Sequence, residues 1–206
     1  MTVAQRRKKM FKSNFDMLAP IYPLLIQQFV DDYNLDTGLA IDIGTGPGFL
    51  GIELAKITKM EIIFTDIDSD AIALANKNFI QSGTENGAQF VTANVENLPF
   101  PDNYADFIMS RGSIWFWKDS CKGLLEIERV LKPGCYAVIG GGLGRYAPET
   151  MRKRLLTSMH KELEKKNEKR PSLDEFKLMV AASGLKKFRV FTDGDVKSGK
   201  WVELNK

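Results

Sequence analysis

The stretch Ile41-Asp42-Ile43-Gly44-Thr45-Gly46-Pro47-Gly48-Phe49-Leu50-Gly51 carries glycines at alternate positions directly after a short apolar run. Gly44, Gly46 and Gly48 allow a sharp backbone turn and let a ligand approach with no Cβ in the way. The run from Gly46 to Gly51 also satisfies G-x-G-x-x-G, the spacing of dinucleotide sites, so the glycines alone do not select a ligand. The flanking side chains add chemistry. Asp42 stands inside the strand end, where a carboxylate attracts a cationic group and not a pyrophosphate. Asp66 closes the next apolar run. There it can accept two hydrogen bonds from a ribose diol, or complement the dipole of a following helix. Asn94 follows a third run, and its amide can meet an adenine amino group while the Val95 N–H meets a ring nitrogen.

These groups need a scaffold that brings strand ends together, and the apolar pattern supplies one. Residues 1–36 read as helical, interrupted by Pro20 and Pro23, with Phe15, Leu18, Leu24, Leu25, Phe29 and Val30 as core contacts. Strands are predicted at 39–43, 61–66, 88–93, 105–110 and 135–141. Helices are predicted at 48–57, at 68–79 capped by Asp68 or Ser69, and at 119–131 stopped by Lys132-Pro133-Gly134. A further helix at 148–166 places Met151, Leu155, Leu156, Met159 and Leu163 on one face. Ser172 and Glu175 form a capping box, and Gly184 ends the helix they open. The tail holds two strand-like runs with no helix between them, so they must pair antiparallel. Alternating strands and helices demand a three-layer α/β/α sandwich. Its Rossmann-like sheet is mostly parallel and seven-stranded, with an antiparallel C-terminal hairpin at one edge. Ligand belongs beyond the carboxyl ends of the strands, where strand order reverses.

Bulk properties bound the reading. The chain has 206 residues, 44% hydrophobic and 27% charged, with a net charge of +3. That composition is globular. No apolar run approaches the roughly 20 residues of a membrane helix, and the basic N-terminus lacks the apolar core of a signal peptide. Cys121 and Cys135 are the only cysteines, so no disulfide framework is implied. The expected location is cytoplasmic. Arg6-Arg7-Lys8-Lys9 reads as a solvated helix turn, and no basic stripe interleaved with aromatics favours nucleic acid.

With these residues in view, the chain resembles the class I S-adenosylmethionine-dependent methyltransferases, in their small-molecule branch of ubiquinone and menaquinone biosynthesis enzymes. The resemblance is carried by "AIDIGTGPG" (40–48), "TDIDSDAIALA" (65–75), "ANVENLPFPDNYADFIMSR" (93–111) and "LLEIERVLKPGC" (124–135), in order and at ordinary spacing. "FDMLAPIY" (15–22) also looks like that branch's N-terminal region. The resemblance implies S-adenosyl-L-methionine as cofactor and S-adenosyl-L-homocysteine as product. It implies that Gly44, Thr45, Gly46 and Gly48 line the amino-acid end of the cofactor, with Asp42 on its ammonium, directly or through water. Asp66 would hold the ribose hydroxyls, Ile67 would lie against the adenine, and Asn94 and Val95 would meet its edge. Arg111 would border the sulfonium by its backbone, and Tyr22 would reach over the same end. Three positions depart from the pattern. Asn94 stands where aspartate is usual, Cys135 where glycine is usual, and "SRGSIWFWKD" (110–119) where a His-rich turn is common.

Methyl transfer from a sulfonium is an in-line displacement, in which the protein mainly aligns nucleophile, methyl and leaving sulfur. No catalytic side chain and no metal site are assigned. Trp115 and Trp117 follow the fourth strand and could wall an acceptor pocket, or pack beneath the next helix. Arg111 could orient an anionic acceptor or pair with a structural carboxylate. His160 reads as a surface side chain and Cys121 as a packed thiol. No Asn/Asp-Pro-Pro-Tyr and no Pro-Cys motif occurs, which leaves a small-molecule acceptor foremost. The expected organisation is one domain over 1–206: a helical cap (1–36), a cofactor-binding core (37–141), a possible lid helix (142–170) rooted at flexible glycines, and a C-terminal helix and hairpin (171–206). A non-catalytic module that binds the same cofactor is the alternative, with an NAD(P)-dependent oxidoreductase behind it.

Overall fold

The computed structural model describes residues 17–194 and 199–206. Phe15 and the basic run at 6–9 lie outside them. Strands β1 (Leu39–Ile43), β2 (Glu61–Asp66), β3 (Ala88–Thr92), β4 (Ala105–Arg111) and β5 (Leu131–Gly141) run parallel. β6 (Phe188–Phe191) and β7 (Lys200–Asn205) pair antiparallel, and β7 also runs antiparallel to β5. The seven-stranded order is β3-β2-β1-β4-β5-β7-β6. The chain leaves β1 in one direction to β2 and β3, then returns to β4 on the other side. The crevice between the ends of β1 and β4 is therefore where an open α/β sheet binds its ligand.

Alternation along the strands divides the apolar side chains between two faces. Ala40, Phe64, Phe107 and Trp201 share one core with Leu25 and Phe29 of α1 (Ile21–Tyr33), Leu54 of α2 (Phe49–Ile57) and Ala75 of α3 (Ser69–Ser82). Ile41, Ile43 and Ile108 share the other with Leu124 and Ile127 of α4 (Ser120–Val130) and Phe176 and Val180 of α6 (Leu173–Ala182). The first core also receives Leu155 from α5 (Glu149–Lys166), with Met151, Leu156 and Met159 packed against it. Ser172 and Glu175 form the capping box, Asp68 caps α3 through the Asp70 N–H, and Gly184 takes a positive φ of 87°.

Two local expectations are corrected. Pro23 does not break the first helix. It lies in the first turn of α1, whose N–H groups have no intrahelical acceptor to lose. Lys132-Pro133-Gly134 stops α4 but sits inside β5, as an irregularity opposite Ala105 and Phe107. The segment after β5 is pinned at its root. Leu143 is fully buried, and its N–H donates to Asp193 across 2.6 Å. Arg145 pairs with Asp32, its N–H donates to Gln28, and the Tyr146 hydroxyl donates to Asp31. The glycines there fit tight packing: a Cβ on Gly142 would meet Asp193 Oδ2 at 2.3 Å.

Candidate active site

The glycine turn after β1 is left-handed at each alternate residue, with φ of 63° at Gly44, 53° at Gly46 and 84° at Gly48. L-residues rarely adopt that region. At Gly44 space is closed as well, since a Cβ would come within 2.3 Å of Ser113 Cβ. Two carboxylates hold the turn from either side. Asp42 Oδ2 accepts the Thr45 hydroxyl at 2.6 Å and the Gly51 N–H at 3.1 Å. Asp66 Oδ2 accepts the Gly46 N–H at 2.9 Å, while its Oδ1 accepts the Asp68 N–H at 3.0 Å. Thr45 N–H adds a bond to the Thr65 carbonyl at 2.9 Å. The turn is thus tied to the ends of β1 and β2.

The electrostatics are lopsided. Asp42 is buried, and that burial pushes its carboxyl up to about 7; bonds from Thr45 and Gly51 oppose the rise, and the negative charge of Asp66 adds to it. No cation is among the groups acting on it. A buried carboxyl in that state favours a cationic ligand, which would restore its ionised form. Beside it, burial raises the Tyr22 phenol, Arg111 opposes the rise and Asp42 adds to it. The Arg111 guanidinium lies 5.4 Å from the centre of the Tyr22 ring, and its Nε donates to the Gly142 carbonyl at 2.9 Å. Phe49, at the start of α2, flanks Tyr22 with ring centres 5.7 Å apart.

Tyr22, Asp42, Gly44, Thr45, Gly46, Gly48, Asp66 and Arg111 therefore converge at the ends of β1, β2 and β4. Ile67, just past β2, is 70% exposed and so free to meet a ligand at the strand ends. Asn94 is exposed beyond β3, and its Oδ1 already accepts the Glu96 N–H at 3.0 Å. The Val95 side chain is buried in the second core.

The two tryptophans separate. Trp117 Nε1 donates to Ser113 Oγ at 3.1 Å, and its ring sits on Gly123, where a Cβ would come within 2.8 Å of Trp117 Cε3. It packs beneath α4, the bland alternative for this residue. Trp115 lies against Gly141 at the end of β5, with its ring 5.3 Å from that of Phe176. His160 is exposed, and the Cys121 thiol points to the Met179 carbonyl at 3.8 Å.

Sequence reasoning missed Ser113, Phe49 and Arg170. Ser113 bonds Ser110 at 2.6 Å and the Ile43 carbonyl at 3.3 Å, which closes the β4 turn onto the glycine turn. A serine in a loop carries no local signal of that role. Phe49 could have been read from its place directly after the glycines. Arg170 has no pattern around it at all.

The donor set fits an adenosyl sulfonium better than a pyrophosphate, because two carboxylates frame the turn, and Asp42, with no cation among the groups acting on it, repels an anion and attracts a cation. Comparison with known proteins agrees. Residues 41–139 match the methyltransferase domain family. A solved structure of a candidate S-adenosyl-L-methionine-dependent methyltransferase from Methanococcus maripaludis is 33% identical, with a TM-score of 0.82 over 97% of this chain and 91% of that one. The ubiquinone/menaquinone biosynthesis C-methyltransferase UbiE of Vibrio cholerae is 35% identical over 96 residues, which span 46% of this chain and 37% of that protein. The chloroplastic 2-methyl-6-phytyl-1,4-hydroquinone methyltransferase of Arabidopsis thaliana is 36% identical over 101 residues, spanning 49% of this chain and 29% of that protein. The match thus covers only about a third of these curated relatives' own length. The chain belongs to the S-adenosylmethionine-dependent methyltransferases, and S-adenosyl-L-methionine is the cofactor of that family.

Proposed function

We propose that this chain transfers the methyl group of S-adenosyl-L-methionine to a small-molecule acceptor by in-line displacement. The observation that carries the reading is the pair of carboxylates, Asp42 and Asp66, tied to opposite sides of one glycine turn. In this reading Asp42 takes the ammonium and is ionised by it, Asp66 takes the ribose hydroxyls, and Ile67 offers its exposed side chain to the adenine. The Asn94 amide and the Val95 N–H meet the adenine edge. Gly44, Thr45, Gly46 and Gly48 line the amino-acid end. Arg111 borders the sulfonium by its backbone, below Tyr22, while its guanidinium is held by the Gly142 carbonyl. When bound, the cofactor supplies an electrophilic methyl on a neutral leaving thioether, so the protein's work is alignment and exclusion of water. The relatives' names make hydroquinone-like rings the first acceptors to test. Segment 142–170, held at its start by Asp193 and α1, is the element that lids the acceptor side. Among the described residues no helix is long and apolar enough to cross a membrane, which is compatible with a cytoplasmic enzyme on a diffusible acceptor.

A thermal-shift comparison tests the cofactor. S-adenosylmethionine and S-adenosylhomocysteine raise the melting temperature, by RT ln(1 + [L]/Kd) in free energy, while NAD and NADP leave it unchanged. Stabilisation by NAD alone would end the proposal. Release of S-adenosylhomocysteine with hydroquinone acceptors then separates an enzyme from a module that only binds.

A further inference from the structure

Arg170 lies in the connection between α5 and α6, far in sequence from every cofactor motif. Its guanidinium stands 5.0 Å from the centre of the Phe116 ring and 5.8 Å from that of Trp115. Both rings belong to the 3-10 turn Ile114–Phe116 that follows β4. Phe116 is 68% exposed, while Arg170 is only 28% exposed. Arginine commonly stacks on aromatic faces, and here no hydrogen bond or ion pair to another described residue is added to that contact beyond the Glu168 carboxylate. Among the described residues, the one carboxylate acting on it is Glu168, whose oxygen is 3.6 Å away. Burial is the larger influence on Arg170 and lowers its basicity; Glu168 opposes that.

A second cation faces the same side of the sheet. Lys200 opens β7 directly opposite Gly141. Paired residues of antiparallel strands project to the same face. A Cβ on Gly141 would point at Trp115 Nε1, 3.1 Å away. Val202, two residues on from Lys200, packs in the core that also holds Trp115 and Phe176. Lys200 therefore shares the Trp115 face. Burial lowers its ammonium too, and no carboxylate of the described residues acts on it. Arg111 is not part of this group, since it follows Phe107 and Met109 onto the opposite face.

The α5–α6 connection thus brings Arg170 to the ring of Trp115, and the start of β7 places Lys200 on the same face of the sheet, at the strand ends where the acceptor must approach. A purely structural cation–π clamp accounts for Arg170 but leaves Lys200 unexplained. Resting on the methyltransferase reading above, we infer that Arg170 and Lys200 hold an anionic group of the methyl acceptor, a carboxylate or phosphate, with its ring against Trp115 and Phe116. The acceptor class is then an acidic aromatic small molecule, and Trp115 is a wall of its pocket.

The test uses the full chain saturated with S-adenosylhomocysteine. Calorimetric titrations compare 4-hydroxybenzoate and phenyl phosphate with phenol and with inorganic phosphate. At least one aryl anion binds at least ten-fold more tightly than both phenol and phosphate, and Arg170→Gln and Lys200→Gln each weaken that binding at least ten-fold. Affinity for S-adenosylhomocysteine stays within two-fold in both variants, which keeps failure here distinct from failure of the cofactor reading. If Arg170→Gln melts early, Lys200→Gln alone decides. The inference is overturned if neither aryl anion binds, if phenol or bare phosphate binds as well as they do, or if Lys200→Gln binds like wild type.

Discussion

Asp66 Oδ2 accepts the Gly46 N–H across 2.9 Å, so the last residue of β2 holds the tip of the turn that follows β1. One side chain thereby has two duties: it shapes the glycine turn, and it presents the carboxylate assigned to the ribose. Asp66→Ala loses both, and affinity for S-adenosylhomocysteine falls at least 100-fold by calorimetry. Asp66→Asn keeps an acceptor oxygen for Gly46 and loses less. Equal losses in the two variants would show that charge, not the tie to Gly46, dominates.

Asp42 gives the site a pH dependence. Its carboxyl rises from the ordinary 3.8 to about 7 on folding. The folded chain therefore binds the proton more tightly than the unfolded chain. Asp42's contribution to stability is complete below about pH 4 and is lost as pH rises toward about 7. A cationic ligand reverses this, because it needs the ionised form. Affinity for S-adenosylmethionine increases as pH climbs from about 6 to about 7, below the range of roughly 7.7–8.0 in which an α-amino group loses its proton. In Asp42→Asn that rise disappears and affinity is low throughout. A wild-type affinity that is flat across this interval would remove the ammonium from Asp42.

Gly44 and Gly83 separate backbone strain from lost space. Both have positive φ, 63° and 71°, but a Cβ at Gly83 meets nothing within 4 Å while one at Gly44 collides with Ser113. Gly83→Ala costs about 1 kcal/mol from the left-handed backbone alone and leaves cofactor affinity intact. Gly44→Ala adds overpacking, for a total of about 2–4 kcal/mol, and pushes the β4 turn off the glycine turn. Urea denaturation reads the first quantity and calorimetry with S-adenosylhomocysteine the second.

Asp193 is buried and accepts both the Leu143 N–H at 2.6 Å and the Trp201 Nε1–H at 2.8 Å. Asp193→Ala strands two buried donors and lowers stability by about 2–4 kcal/mol. Arg145→Ala, which breaks a partly exposed pair with Asp32 on the same segment, costs about 0–1 kcal/mol. Similar losses in urea melts would contradict the assignment of Asp193 as the root of this segment.

The sequence determined the elements, because each is a local matter. The alternation in "LAIDI" and "EIIFTD" makes strands, Ser172 and Glu175 cap their helix within one turn, and an unbroken β6–β7 pair without a helix between them can only run antiparallel. It also determined the candidate cofactor turn, where spacing along one turn sets Asp42 against Gly44, Gly46 and Gly48. Tertiary structure alone decided what lies across from these residues. Ser113 beneath Gly44, Asp193 under Leu143, and Arg170 over Trp115 are meetings between segments about 50 to 70 residues apart. No local preference encodes them. Trp115 and Trp117 illustrate the division: two residues apart in one turn, they read alike in sequence, yet the packing of α4 seats one on Gly123 while the other lies between Phe176, the end of β5 and Arg170. Side chains acquire those different fates only when the sheet closes and fixes which face each turn must cover.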